Sequence, residues 1–380
     1  MSKSQRSALI IAITGLMSLF LVAIVSFSQA PRSPIELTTS PQVGQFYPFE
    51  AEATKPQLPT VLTLTARNPT GELLANSLFK VQIFTPPKNP FFPTDFPVAE
   101  GTKLLELKAI APEGKVELQQ MLPIRGKYKL LVNVTPLAVN QFSPIEQTLT
   151  LDVSENPAKY RNYAILIAIL LAVGVGGGWV MGKQPLPQTG EIAPVKVRLL
   201  LSGAVLVAIA CLVVVNVSAE VSKSHDHSHS SPKETVVSNN SQLQVKISGD
   251  NLTAVGELAN LQVEAIDPTT KRSLTDVVFK LKTTQLENNW VAFAYQGNPD
   301  ATGKLQWQQQ FFDGAPHKLE VEVIPNSANS QFKPVVATEE IEVAAVATPL
   351  LTRLISLGYL IGTVIIGLAI GLTSRRKVNS

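Results

Sequence analysis

Four apolar runs of membrane length divide this chain, and the segments between them contain both apolar and polar residues. Each run holds about 20 residues, which is the length of helix that crosses a hydrocarbon core of roughly 30 Å. We therefore predict four transmembrane α-helices, at 8–28, 162–182, 199–218 and 350–373. For the first helix a cleaved signal peptide is the alternative, because Ser28-Gln29-Ala30 resembles a cleavage site. Its apolar run is long for a signal peptide and Pro31 follows the cut, so we favour an uncleaved anchor.

The segments between these runs, 31–157 and 241–346, alternate apolar and polar residues with a period of two. Stretches such as 61–66, 79–83 and 128–134 follow this pattern, which is typical of half-buried β-strands, and Pro, Gly and Asn separate them. About seven short strands in roughly 100 residues predict an immunoglobulin-like sandwich. The predicted fold class is thus all-β, with two tandem immunoglobulin-like sandwiches, plus four transmembrane helices.

The two β segments also share motifs in the same order. The first copy contains Asn68-Pro69-Thr70, Phe79-Lys80, Gly114-Lys115, Tyr128-Lys129-Leu130, Pro136, Gln141-Phe142 and Pro144. The second contains Asp267-Pro268-Thr269, Phe279-Lys280, Gly303-Lys304, His317-Lys318-Leu319, Pro325, Gln331-Phe332 and Pro334. We interpret the chain as a duplicated unit of one sandwich followed by one membrane helix.

The distribution of Lys and Arg predicts the orientation of both units. Basic residues lie before the first helix, in the loop 183–198 and after the last helix. These three regions fall on one side of the membrane if the helices alternate, and the positive-inside rule makes that side cytoplasmic. Both β segments are then extracytoplasmic, in a multi-pass protein of a bacterial plasma or internal membrane.

Small residues recur at four-residue spacing in the predicted helices. The pairs are Gly174/Gly178, Gly358/Gly362 and Gly367/Gly371. Such spacing lets helix backbones approach closely, so we expect packing within the chain or between copies.

Composition excludes several classes of function. The net charge of +3 is too small to indicate a nucleic-acid partner, and the single Cys211 permits no disulfide within the chain. The sequence carries no phosphate-binding Gly loop, zinc-protease motif or nucleophile elbow, so we predict that this is not an enzyme.

Two features belong to one copy alone. The first copy has an insert at 85–97 that carries five prolines and three phenylalanines, Phe91, Phe92 and Phe96. These rings either pack on the sandwich or form a contact surface for a protein or for lipid. The linker 219–240 carries His225, His227 and His229 with Asp226, a set that suits Cu, Zn or Ni, although a polar disordered linker explains the same residues.

Some of the turn and strand motifs resemble those of a known class of bacterial protein. The turn 68–72 and the strand 125–132, with 267–270 and 317–321 in the second copy, resemble the extracytoplasmic sandwich of the YtkA-like and FixH-like proteins. The resemblance implies a membrane-tethered accessory or assembly role, sometimes near copper enzymes. Those proteins usually have one membrane helix, whereas four are predicted here.

Three functions remain open from the sequence. The leading one is a non-enzymatic integral membrane protein that presents two extracytoplasmic modules to another envelope or membrane protein. The alternatives are a metal-handling accessory that uses the juxtamembrane His residues, and a small subunit of a membrane transport or respiratory complex.

Overall fold

The computed structural model describes residues 33–50, 57–139, 141–181, 233–239, 243–326 and 332–376. The first repeat forms β1 (Ile35–Ser40), β2 (Thr60–Ala66), β3 (Ser77–Phe84), β4 (Lys103–Ala111), β5 (Lys115–Gln120), β6 (Gly126–Pro136), β7 (Ile145–Val153) and helix α1 (Pro157–Met181). The second forms β8 (Lys233–Asn239), β9 (Gln244–Gly249), β10 (Leu252–Ala254), β11 (Leu258–Ile266), β12 (Val277–Gln285), β13 (Val291–Gly297), β14 (Lys304–Gln310), β15 (His317–Pro325), β16 (Val335–Ala344) and helix α2 (Leu350–Arg376).

Each repeat divides its strands between two sheets in the same way. In the first repeat β1-β2-β5 lie in one sheet and β7-β6-β3-β4 in the other. In the second repeat β9-β11-β14 and β16-β15-β12-β13 take the equivalent places, with β8 and β10 added at the outer edges. Neighbouring strands pair antiparallel, except that β10 pairs parallel with β16, and the chain passes from one sheet to the other several times in each repeat, as in immunoglobulin-like folds. The alternation of burial along β2 and β3 follows the apolar residues that predicted these strands.

The repeats do not form two separate sandwiches as the sequence predicted. Strand β5 pairs antiparallel with β13, and β4 pairs antiparallel with β14. These two pairings, which we call the seam, join the strands of both repeats into two continuous eight-stranded sheets. The physical reason is that the edge strands of a sheet carry unpaired N–H and C=O groups, which another edge can satisfy. We call the resulting pair of sheets the β platform.

The seam has approximate two-fold symmetry. In the duplicated unit β4 is equivalent to β13, and β5 is equivalent to β14. The β5–β13 and β4–β14 pairings are therefore the same contact made twice. This is the arrangement of a symmetric homodimer interface, here made within one chain.

One apolar core runs through both repeats. It includes Phe79 and Tyr128 from the first repeat and Phe279 and Phe293 from the second, all fully buried. Because the core is continuous across the seam, the described β-strands constitute one packing unit.

The linker prediction at 219–240 is partly wrong. Residues Lys233–Asn239 form β8, which pairs antiparallel with β9 and extends one sheet. The strand was missed because Ser, Asn and Lys around it give the segment the composition of a loop. The predicted helices at 8–28 and 199–218, the loop 183–198 and the His residues lie outside the described residues.

Helices α1 and α2 follow β7 and β16 after short connections. Within the described residues, Pro157–Trp179 and Leu350–Ser374 are long and apolar enough to cross a membrane, with mean hydropathies of 1.7 and 2.2. Helix α1 begins five residues before the predicted bound, and α2 ends three residues after it.

The two helices pack against each other through glycine. A Cβ atom on Gly174 would lie 2.5 Å from the carbonyl oxygen of Val364, and one on Gly367 would lie 2.6 Å from that of Leu171. Gly178 and Gly371 meet the partner helix one turn further along in the same way. Contacts that advance together along both helices show that α1 and α2 run parallel. The predicted packing is confirmed for these two pairs.

Substitution of Gly178 tests this packing. We expect Gly178→Leu to destabilise the protein by about 1–3 kcal/mol, because the added side chain must displace the backbone of α2. Thermal unfolding in detergent micelles measures the effect. Gly177→Leu is the matched control, since a Cβ atom there has open space within 4 Å. Equal changes in Tm for the two variants would contradict the packing.

Candidate functional site

The Pro/Phe insert, residues 85–97 between β3 and β4, lies where the β platform meets the helices. Hydrogen bonds close its base. The Thr85 N–H donates to the carbonyl of Thr102 at 3.0 Å, and the Gly101 N–H donates to that of Pro86 at 2.8 Å. The Thr85 hydroxyl donates to the carbonyl of Ala99 at 2.6 Å. The insert is therefore a closed, hydrogen-bonded loop.

Phe96 anchors the insert in an aromatic cluster that both repeats supply. Its ring centroid lies 5.9 Å from that of Phe49 and 5.3 Å from that of Phe312. Trp290 stacks on Phe312 at 5.2 Å and meets Phe49 at 4.5 Å. Of the two alternatives for the three phenylalanines, packing on the core holds for Phe96.

The other two phenylalanines lie at the exposed tip of the insert. Phe91 and Phe92 are 65% and 67% exposed. The side-chain oxygen of Asn89 accepts hydrogen bonds from the N–H groups of Phe91 at 3.1 Å and Phe92 at 3.2 Å. The tip thus presents two aromatic rings on a fixed backbone, which fits the contact-surface alternative.

Side chains from outside the insert hold this tip against the helices. The Tyr359 hydroxyl of α2 donates to the carbonyl of Phe91 at 2.7 Å. The Arg125 guanidinium, at the β5–β6 connection, donates to the carbonyls of Phe92 and Pro93, both at 3.3 Å. Arg125 also forms a 2.8 Å ion pair with Glu155, just before α1.

A further ion pair joins the insert to α1, because Lys159 in the first turn of α1 contacts the Asp95 carboxylate. A groove of about 680 Å³ lies between the insert, the β5–β6 connection and the start of α1, and Arg125, Lys127, Glu155 and Tyr160 are among its lining residues. Polar contacts of the insert, the β5–β6 connection and the start of α1 therefore join the described helices to the platform. We call this region the polar collar.

A second groove, of about 440 Å³, crosses the seam on the outer face of one sheet. Glu106 of the first repeat and Asn260, Gln262, Gln306 and Gln308 of the second lie along it. The Gln308 side chain donates to Asn260 at 2.8 Å, and that of Gln306 donates to Gln262 at 2.6 Å. We call this surface the seam groove. It exists only where the repeats are joined.

Glu106 is the charged centre of the seam groove. Lys103 forms a 2.5 Å ion pair with it and also donates to Gln308 across the seam at 3.3 Å. Partial burial raises the pKa of Glu106, but hydrogen bonds from Lys103 and Gln82 outweigh this and lower it to about 2. Glu106 is thus ionised at neutral pH.

His317 and Tyr128 occupy equivalent places in the two repeats, as their motifs predicted. The buried Tyr128 hydroxyl donates to the Ile124 carbonyl at 2.8 Å, the bond typical of the tyrosine corner in immunoglobulin-like domains. Nδ1 of the buried His317 lies 2.7 Å from the Ala315 carbonyl, an acceptor, so Nδ1 carries the proton. The centroid of the imidazole ring lies 4.6 Å from that of Phe311 and 5.8 Å from that of Trp290. His317 therefore has a core position.

The structure does not test the predicted metal ligands His225, His227, His229 and Asp226, which lie outside the described residues. Within the ranges that the structure describes, no group of three or more His, Cys, Asp or Glu side chains could hold a metal ion. Binding of Cu, Zn or Ni by the three His residues stays a prediction.

Comparisons with known proteins give no family for this chain. No protein-family model matches it, and no curated protein sequence matches it. The resemblance to the YtkA-like and FixH-like proteins therefore gains no support from a family match.

Solved structures align with it at low similarity. FetP of uropathogenic E. coli strain F11 has 6% identity and a TM-score of 0.22, over 31% of this chain and 100% of that one. The D0-D1 domain of intimin has 10% identity and a TM-score of 0.18, over 81% of this chain and 97% of that one. The Yersinia pseudotuberculosis adhesin InvE has 11% identity and a TM-score of 0.18, over 80% and 58%. Likenesses at these TM-scores assign neither family nor function.

The environment of His317 generates a pH prediction. Burial is the main cause that lowers its pKa from 6.5 to about 4, against the Ala315 hydrogen bond, which raises it. Between these two values the unfolded chain binds a proton that the folded protein does not, so stability falls as the pH falls from about 6.5 towards 4. We expect a loss of about 3 kcal/mol over this window.

Chemical unfolding in detergent, followed by Trp fluorescence at pH 7 and pH 4, measures this loss. His317→Phe keeps a ring at the position and cannot titrate. The carboxylates titrate in both proteins, so the difference between their losses of stability is the contribution of His317. Equal losses of stability in both proteins would contradict the assignment.

Proposed function

We propose that this chain is a non-enzymatic integral membrane protein whose two repeats form one extracytoplasmic platform for the binding or assembly of another envelope or membrane protein. The observation that carries the proposal is the joining of both repeats into one β platform above a parallel helix pair. A rigid support of this kind presents a surface at a fixed height and orientation above a bilayer.

The membrane location is supported by the two helices and their surroundings. Helices α1 and α2 leave the platform in the same direction, and both expose apolar side chains such as Ile165 and Ile366 over most of their length. Aromatic residues flank the apolar part of α1, with Tyr160 and Tyr163 near its start and Trp179 near its end, as at the two interfaces of a bilayer. The Lys and Arg distribution supports an extracytoplasmic location of the platform.

The seam groove is our candidate for the surface that the partner contacts. Its amide groups and the ionised Glu106 supply directional donors and acceptors, which suit a polar protein surface. Both repeats contribute to it, so a partner would recognise the joined platform rather than one repeat. This offers a reason for keeping the two copies in one chain.

Photo-crosslinking in the native membrane tests the proposal. A photoreactive side chain at the exposed Gln306, in the seam groove, is expected to capture a specific partner that mass spectrometry identifies. A photoreactive side chain at Lys282, exposed on the opposite sheet, is the matched control and should capture much less. Recovery of a free monomer from both positions would overturn the proposal.

A further inference from the structure

The tip of the Pro/Phe insert lies beside α2, past Arg353, the first charged residue of that helix. No Asp, Glu, Lys or Arg occurs in α1 between Arg161 and its end at Met181, or in α2 between Arg353 and Arg375. Because Gly174 faces Gly367 and Gly178 faces Gly371, residue 161 lies at the level of residue 354. The charge-free parts of both helices therefore begin at one level. The 21 residues 354–374 of α2 rise about 31 Å, the thickness of a hydrocarbon core.

Three contacts give the direction of the insert relative to this level. Phe96 is in the aromatic cluster of the platform, Asp95 pairs with Lys159 in the first turn of α1, and Phe91 bonds Tyr359. Tyr359 lies six residues beyond Arg353, which is about 9 Å along the helix. Side chains of a helix are tilted towards its N-terminus, and the Tyr359 hydroxyl can lie up to about one turn before its own Cα atom. The Phe91 carbonyl that it contacts therefore lies about 4–9 Å past the level of Arg353.

The backbone of the tip meets the requirement for entering a bilayer. In the sequence Pro90-Phe91-Phe92-Pro93 the prolines have no N–H, and Asn89 accepts from both remaining N–H groups. The carbonyls of Phe91, Phe92 and Pro93 accept from Tyr359 and Arg125. Unpaired backbone groups are costly in hydrocarbon, and these internal bonds remove most of that cost.

We propose that the tip of the Pro/Phe insert penetrates the outer leaflet, so that Phe91 and Phe92 contact lipid acyl chains and attach the platform to the membrane in addition to α1 and α2. The occupant of this exposed surface is lipid, because the Phe91 carbonyl lies at the depth of the apolar part of α2 and the two exposed rings carry no charge. The proposal rests on the proposed membrane function, which supplies the bilayer.

Spin labelling of the full chain tests the depth of the tip. A nitroxide is attached at Phe92→Cys in a Cys211→Ser background, and the protein is reconstituted in phosphatidylcholine vesicles. The backbone bonds of the tip do not involve the replaced ring. We expect the label to collide with oxygen, which concentrates in lipid, several-fold more often than with a water-soluble nickel chelate. Phe91→Cys repeats the measurement if the first label perturbs the tip.

Two matched labels separate the possible failures. Val139→Cys, 90% exposed after β6 at the other end of the platform, should be accessible to the nickel chelate. Ile165→Cys, 52% exposed on α1, should report lipid. If Ile165 reports lipid while the tip is open to the nickel chelate, or is shielded from both reagents, the tip proposal is overturned and the membrane proposal stands. If Ile165 itself reports water, the membrane proposal fails.

Discussion

The hydrogen-bonding demand of edge strands is the constraint on which this structure depends. An isolated repeat would leave β4 and β5 with one side of their backbones unpaired, and its copy would leave β13 and β14 in the same state. Exposed edges of this kind are open to aggregation, and proteins commonly block them with charge, proline or a covering element. Here the two copies cover each other, and duplication within one chain makes that partner permanently available.

The seam then determines the rest of the arrangement. It brings the ends of β7 and β16 to one side of the platform, so that α1 and α2 leave side by side and in parallel. Glycine at the contact lets their backbones approach closely. The Pro/Phe insert occupies the space where platform and helices meet, and Phe96 ties it to rings of the second repeat. Platform, collar and helix pair therefore form one connected structure.

Much of this could be predicted from the sequence, because local periodicity carries the information. Alternation predicted most strands to within a few residues, as in β2 and β3, and the four-residue glycine spacing predicted the helix contact. Edge pairing could not be predicted, since alternation along β5 or β13 indicates which face is buried and says nothing about the partner of an edge. Composition also did not indicate which phenylalanines of the insert pack on the core and which are exposed. Phe96 packs in the cluster because Thr94 and the buried Glu100 fix the chain beside it, through hydrogen bonds that no local pattern shows.

The most direct test of the account is hydrogen–deuterium exchange of the intact protein, compared strand by strand. If the seam exists in solution, the amides of the seam residues 105–107, 118–120, 293–295 and 307–309 exchange as slowly as those of the inner strands β3 and β12, because these residues are paired on both sides. The true edges β1 and β7 should exchange at alternating positions. Fast, edge-like exchange at residues 118–120 and 293–295 would contradict the joined platform, and with it the proposal that the two repeats act as one unit.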